Sequence, residues 1–202
     1  MNTSVKSNKV GSVDECKKLH ADPVLDESAI VSEDGELANV FVYVKKGVEK
    51  KDYPMPKEPA LINQEGCMFR PRVQGVRVGQ DFVMRNSDPV LHNVRSYAFR
   101  NRGFNIAQPP ETKDRTKVFK KPERAIQVGC DIHKWMKAYA FAMDHPFFAV
   151  SNEKGQFEIE GLPAGDYTLA AWHEVYGEQE TKITVGASGT VDVGFSFKDK
   201  GK

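Results

Sequence analysis

Five histidines, three cysteines and six methionines are few for a chain of 202 residues, and four of them sit in two short stretches. One stretch is Gly129-Cys130-Asp131-Ile132-His133-Lys134-Trp135-Met136. The other is Asp88-Pro89-Val90-Leu91-His92-Asn93, with His92 thirty-eight residues before Cys130. Two imidazoles, a thiolate and a thioether make a soft to borderline ligand set. It suits copper cycling between Cu(I) and Cu(II), with two His and one Cys in a plane and a weak axial Met. Zinc would prefer a fourth strong ligand to a thioether. Cys-x2-His-x2-Met is short enough to bring three side chains to one point. A fourth ligand from a separate strand end would fix the ion between two rigid elements, so the site would change little between oxidation states.

The elements that must hold such a site are strands. Asn39–Val44 alternates with β-branched and aromatic residues, and Val73–Val78 and Asp81–Arg85 do the same across a Gly79-Gln80 turn. Further strands are predicted at Ala125–Gly129, Lys137–Met143, Gln156–Ile159, Tyr167–Trp172, Thr181–Val185 and Thr190–Phe197. Glycines punctuate these runs at roughly ten-residue spacing, the signature of a β-sandwich or barrel. Apart from a weak turn near Asp14–Leu19, no twelve-residue stretch keeps a helical period. The fold class is all-β.

At the residues singled out above, the sequence resembles the cupredoxins, the type 1 blue-copper proteins. A His followed directly by Asn, then a Cys-x2-His-x2-Met loop, is that family's pattern, and the loop length is similar to that of the short-loop, amicyanin-like members. The resemblance spans roughly residues 63–143, including Phe104-Asn105 and Phe119. It implies a Greek-key β-sandwich with one copper ion held by His92, Cys130, His133 and Met136, and Asn93 tying the two ligand loops together near Cys130. If His133 is the ligand at the solvent edge, as in some short-loop members, it is expected to titrate in the reduced protein. Lys134-Trp135 stand where short-loop members have a Pro and an aromatic, which leaves a green or perturbed centre open.

A second stretch, Asn152 through Tyr167 to Trp172-His173, resembles the carboxypeptidase-regulatory-like, transthyretin-like sandwich in its Gly-x-Phe-x-Ile-x-Gly-Leu-Pro-x-Gly-x-Tyr-x-Leu run. Asn39–Val44 is similar to an earlier strand of the same sandwich. The resulting organisation is a polar, loosely packed N-terminal segment over 1–34 and a first strand with a Lys/Pro-rich linker over 35–59. A cupredoxin domain over 60–145 and a carboxypeptidase-regulatory-like sandwich over 146–202 complete it. The cupredoxin part is read as an insertion, with continuous tandem domains as the other arrangement. A chain combining the two resembles exported bacterial methylamine-utilisation-type, cupredoxin-like proteins, a likeness that brings no substrate with it.

With Cys130 assigned, Cys16 and Cys67 are left over. A disulfide between them would tether the N-terminal segment and close a loop of about 50 residues, worth on the order of 3–4 kcal/mol. Two free thiols are the other reading. His145 and His173 are read as hydrogen-bonded junction residues, with a second metal site alongside Cys67 or Glu174 as the alternative, and His20 as solvated. Trp135 with Lys134 is a candidate docking patch for a redox partner, and Lys137 and Lys120-Lys121 could add a basic rim.

Composition narrows the function. Charged residues nearly balance, at a net +1, and are interspersed, so no field draws the chain to nucleic acid or anionic lipid. No apolar run approaches the roughly 18 residues of a membrane span. Residues 1–9 carry no apolar signal region, so the compartment is argued from chemistry as periplasmic or secreted, with the leader absent from this chain. Five scattered histidines and no His-x-His pair do not supply the additional sites of a multicopper oxidase or nitrite reductase, so no enzyme activity is expected. The reading is a one-electron copper carrier between partner proteins, with a copper chaperone or storage protein, or a metal-free structural module, as alternatives.

Overall fold

Alternating apolar and polar residues make strands the dominant regular element of this chain. The computed structural model describes residues 14–21 and 25–198; residues 1–13 and 22–24 of the expected N-terminal segment, with 199–202, lie outside them. The described elements are α1 (Asp14–Lys17), β1 (Phe41–Lys46), β2 (Ala60–Glu65), β3 (Met68–Arg70), β4 (Val73–Arg77), β5 (Asp81–Asn86), β6 (His92–Tyr97), β7 (Asn105–Gln108), β8 (Arg115–Val118), β9 (Glu123–Gly129), β10 (Lys137–Met143), β11 (Phe148–Val150), β12 (Gly165–His173) and β13 (Gly177–Val185). The protein is all-β. It divides into two units that alternate along the chain, one containing Met55–Asp144 with described residues up to Glu27, the other Ser28–Pro54 with the chain from His145.

In the first unit a five-stranded sheet, ordered β4-β10-β9-β6-β7, and a four-stranded sheet, ordered β3-β2-β5-β8, enclose one apolar core. Strand alternation decides which side chains meet there. β5 turns Phe82 and Met84 inward and leaves Asp81 and Arg85 outside, while β9 contributes Ile126 and Val128 and β10 Ala138, Ala140 and Ala142. Cys16, Cys67, Cys130 and Met136 belong to this core.

The N-terminal segment is attached more closely than its polar composition suggests. Cys16 is fully buried and disulfide-bonded to Cys67, fifty-one residues on, and Leu19 packs on the core. Closing a loop of that length stabilises the folded chain by about 4 kcal/mol. His20, expected to be solvated, instead bonds through Nε2 to the Gly66 carbonyl at 2.6 Å.

In the second unit the sheet order is β11-β1-β12-β13, so β1 from the early stretch lies between two late strands. Lys45 falls inside β1 rather than in a connector, and its ammonium bonds Glu178 and Glu180 of β13. Residues 156–159 and 190–197, predicted as strands, make no ladder. Their apolar side chains nevertheless pack inward: Phe157, Ile159, Val193 and Phe195 lie against the buried sides of β1 and β12.

Glu123, at the start of β9, organises a surface loop. Its carboxylate accepts the backbone N–H groups of Phe99 (2.5 Å), Arg100 (3.1 Å) and Asn101 (2.9 Å), and Asn101 Nδ2 at 2.9 Å. Burial pushes this carboxyl up, but those bonds together outweigh it and hold it below the usual value. A depressed carboxyl stabilises the fold above its unfolded pKa, and that contribution fades as pH falls through the folded value. Glu123→Gln should therefore cost about 1–3 kcal/mol at pH 7. Urea denaturation at pH 7 and again near pH 3 should show the gap to the wild type closing in acid; a gap independent of pH would contradict this.

Candidate metal centre

The same alternation that builds the core delivers the site residues. Ile126 and Val128 face inward on β9, and the next position of that parity is Cys130, just past the strand. On β10 the inward set Ala138, Ala140, Ala142 extends backwards to Met136. The β9–β10 register pairs Gly129 with Lys137, so Cys130 and Met136 continue the ladder, with Cys130 N–H donating to the Met136 carbonyl at 3.3 Å. Met136 N–H in turn donates to the His133 carbonyl at 2.9 Å, folding the loop tip back. His92 opens β6 on the side it shares with Val94 and Ser96, and Ser96 pairs with Val128 of β9.

These placements converge. His92 Nδ1 and His133 Nδ1 are 2.8 Å apart, and Cys130 Sγ is 3.8 Å from His133 Nδ1. Ligand atoms of all three lie within 4.8 Å of one another, all buried, and Met136 is fully buried in the same core. Two donors each about 2.0–2.3 Å from one ion, at tetrahedral or trigonal angles, stand roughly 3.3–3.8 Å apart. The observed separations bracket that range, so the donor set fits a metal ion with only a small opening of the two imidazoles.

Charge in the site favours the metal-binding forms of Cys130 and His133, and the protonated form of His92, whose proton a metal would have to displace. Burial pushes the Cys130 thiol up, but the His92 imidazole and the backbone amides of Asn93, His133 and Ile132 outweigh it and bring the thiol below its ordinary value. His92 is driven down by burial, yet the hydrogen bonds to Asp88 and Cys130 leave it raised. His133 is pushed down to about 4 by burial and by the charge on His92, so it is neutral near pH 7.

Asn93 locks the two ligand stretches together. Its Oδ1 lies 3.3 Å from Cys130 Sγ and accepts the Asp131 backbone N–H at 2.7 Å; its Nδ2 donates to Asn105 Oδ1 at 2.7 Å and to Asp131 Oδ2 at 3.2 Å.

Asp88 is the site residue that sequence reasoning missed, although it stands four residues before His92. Its carboxylate lies 2.8 Å from His92 Nε2 and accepts the backbone N–H groups of Gly66 (2.7 Å) and Cys67 (2.8 Å). Those two residues form the two-residue β2–β3 turn, with φ of 62° and 53°. Turns of this kind need positive φ at both positions, which glycine accepts without penalty and cysteine does not. Burial raises the Asp88 carboxyl, but the bonds to His92, Cys67 and Gly66 pull it below its ordinary value. One buried carboxylate thus joins the disulfide-bearing turn to His92. The available signal was the short Asp88–His92 spacing beside a proline turn.

Several expectations change. His133 is 1% exposed, so it is not a solvent-edge residue. Trp135 covers it, with ring centroids 5.1 Å apart, and donates from Nε1 to the Cys67 carbonyl at 3.0 Å. Sγ atoms of Cys16 and Cys67 lie within 4.8 Å of a His133 ring nitrogen. Trp135 is consequently half-buried and tethered, whereas the Lys134 side chain beside it is 77% exposed. His145 bonds the Val44 carbonyl through Nε2 at 2.9 Å and accepts the Phe147 N–H, and His173 accepts the Val175 N–H. Among the described residues neither belongs to a metal-binding cluster.

No protein-family model matches the chain, and no curated protein does. Among solved structures, a copper-containing nitrite reductase from Thermus scotoductus SA-01 aligns with a TM-score of 0.40 at 18% identity, over 50% of this chain and 26% of the other. A purple cupredoxin from Nitrosopumilus maritimus aligns at 0.36 and 19% identity, over 42% of this chain and 99% of its own. An oxidised mutant of amicyanin aligns at 0.39 and 12% identity, covering 50% and 98%. The chain spans about a quarter of the nitrite reductase. At these identities the site has to be read from this chain's own residues.

Proposed function

We propose that the protein is a one-electron carrier with a single type 1-like copper, held by His92, Cys130, His133 and Met136. The observation that supports this best is the convergence of two imidazole Nδ1 atoms and one depressed thiol in a buried pocket, with a thioether in the same core. A copper ion held there would supply one redox step, Cu(II) to Cu(I) and back, with no substrate bond made or broken. The chain's own residues do the rest. Asn93 and Asp88 hold two ligand side chains in place, while Trp135 and the disulfide keep water off His133. Preorganisation of this kind lowers the reorganisation accompanying electron transfer.

Burial favours a carrier over a chaperone, because a chaperone must present its ligands to an exchange partner and His133 is covered. A buried thioether as the fourth donor also favours copper over zinc, which lacks a fourth strong donor here. A disulfide beside a redox centre fits an oxidising compartment, the periplasm or the exterior. No helix among the described residues is long and apolar enough to cross a membrane. The unit of 28–54 and the chain from His145 is proposed as a transthyretin-like scaffold.

Met136 gives the test. Met136→Leu should retain copper and raise the reduction potential, because a thioether that would donate to Cu(II) is removed. Protein-film voltammetry reads the shift directly; an unchanged potential would exclude Met136 as a ligand.

A further inference from the structure

Closure of the His133 edge raises the question of where an electron enters and leaves. In the same unit, an open cleft of about 790 Å³ lies between the 100–106 segment and 116–121. Arg100, Arg102, Lys117, Lys120 and Lys121 line it, and no Asp or Glu does. All five are exposed, and none makes a side-chain ion pair or hydrogen bond among the described residues. Five unpaired cations around one cleft, on a chain whose net charge is +1, concentrate positive potential there.

The cleft is also held in shape and connected to the site. Glu123, beneath the loop, spends its negative charge on the amides of Phe99, Arg100 and Asn101, and that loop displays Phe99 at 97% exposure. An exposed aromatic beside arginines on a pinned loop is the composition of a protein-binding hot spot. Asn105 lines the cleft wall, and its side chain is hydrogen-bonded to Asn93 (2.7 Å) and to Asp131 (2.8 Å). Asn93 Oδ1 is 3.3 Å from Cys130 Sγ. Two short polar contacts therefore separate the cleft from the thiol sulfur.

We infer that this basic cleft is the docking surface for an acidic face of a redox partner protein, and that Asn105 and Asn93 couple it to Cys130. The inference rests on the copper reading proposed above. Exchange transfers one electron: the reduced site is oxidised, the acceptor is reduced, and no proton or bond moves.

The test uses the full chain with Arg100→Glu, Lys120→Glu and Lys121→Glu combined, positions whose side chains hold nothing else in place. Ferricyanide serves as an anionic oxidant and tris(phenanthroline)cobalt(III) as a cationic one. At low ionic strength the ferricyanide rate should fall on the order of tenfold or more in the variant, with the difference vanishing at high salt, while the cationic oxidant is not slowed. Independently of any metal, redox-inert hexacyanochromate(III) should broaden backbone NMR signals of the 100–106 and 116–121 segments in the wild type and not in the variant. Equal slowing with both oxidants, or broadening centred on Lys134 instead, would overturn the proposal. So would micromolar binding of a single-stranded oligonucleotide that the variant loses, which would assign the cleft to nucleic acid. A wild type that broadens at the cleft but forms no thiolate–copper centre would refute the copper reading while leaving the anionic surface contact established.

Discussion

Cys130→Ser is expected to abolish any intense visible absorption of the copper-loaded protein and to weaken Cu(I) binding more than any other single change. The sulfur is the one soft anionic donor in the pocket, and backbone amides with the His92 imidazole already stabilise its thiolate form. A serine oxygen at that place is hard and stays protonated near neutral pH. Loss of a residue that merely supports a ligand typically costs 10–100-fold in metal affinity, so loss of this ligand should exceed that range. Competition against a coloured Cu(I) chelator, with a visible spectrum of the Cu(II) form, reads both effects. Persistence of the band in the variant would remove Cys130 from the site.

Asp88→Asn should have the next largest effect. Among the described residues nothing else bonds His92 Nε2, and the same carboxylate holds both amides of the Gly66-Cys67 turn. Its negative charge favours the more positive oxidised centre, so its removal should raise the reduction potential. If the usual 10–100-fold loss of affinity for supporting residues falls on the Cu(II) form, the rise is about 60–120 mV. A purely structural role would lower stability without moving the potential, so voltammetry and urea denaturation of the same variant separate the two. An unchanged potential would mean that Asp88 braces the turn and nothing more.

How far sequence reasoning reached differs from element to element. Lys137–Met143 has the bounds its alternation predicts, and β4, β5 and β12 fall within a few residues of theirs. Residues 156–159 and 190–197 alternate as strands do, yet form no ladder among the described residues. Alternation reports which way side chains turn, and says little about whether the backbone finds a partner. β8, Arg115–Val118, was missed for the converse reason: an exposed edge strand needs no apolar face, and its ladder comes wholly from pairing with β5.

The site shows a similar division. His92, Asn93, Cys130 and His133 stand out through residue type and spacing, and the structure brings them together. What spacing does not show is the surroundings. Asp88 acquires its place because the β2–β3 turn folds over it, and Trp135 becomes half-buried because the Cys67 carbonyl lies within reach of its ring nitrogen. His133 is covered for the same reason, since the disulfide that ties Cys16 to Cys67 ends beside it. These are long-range contacts, and short-range pattern carries no information about them.

The most direct test of the central claim is a visible absorption and electron paramagnetic resonance spectrum of the wild-type protein loaded with one equivalent of Cu(II). An intense thiolate-to-copper band with a narrow parallel hyperfine splitting is the predicted result, because two imidazoles and a thiolate are held together in a buried pocket. A weak ligand-field spectrum with a wide, tetragonal splitting would contradict it, and would mean that the convergence of His92, Cys130 and His133 does not make a type 1-like centre.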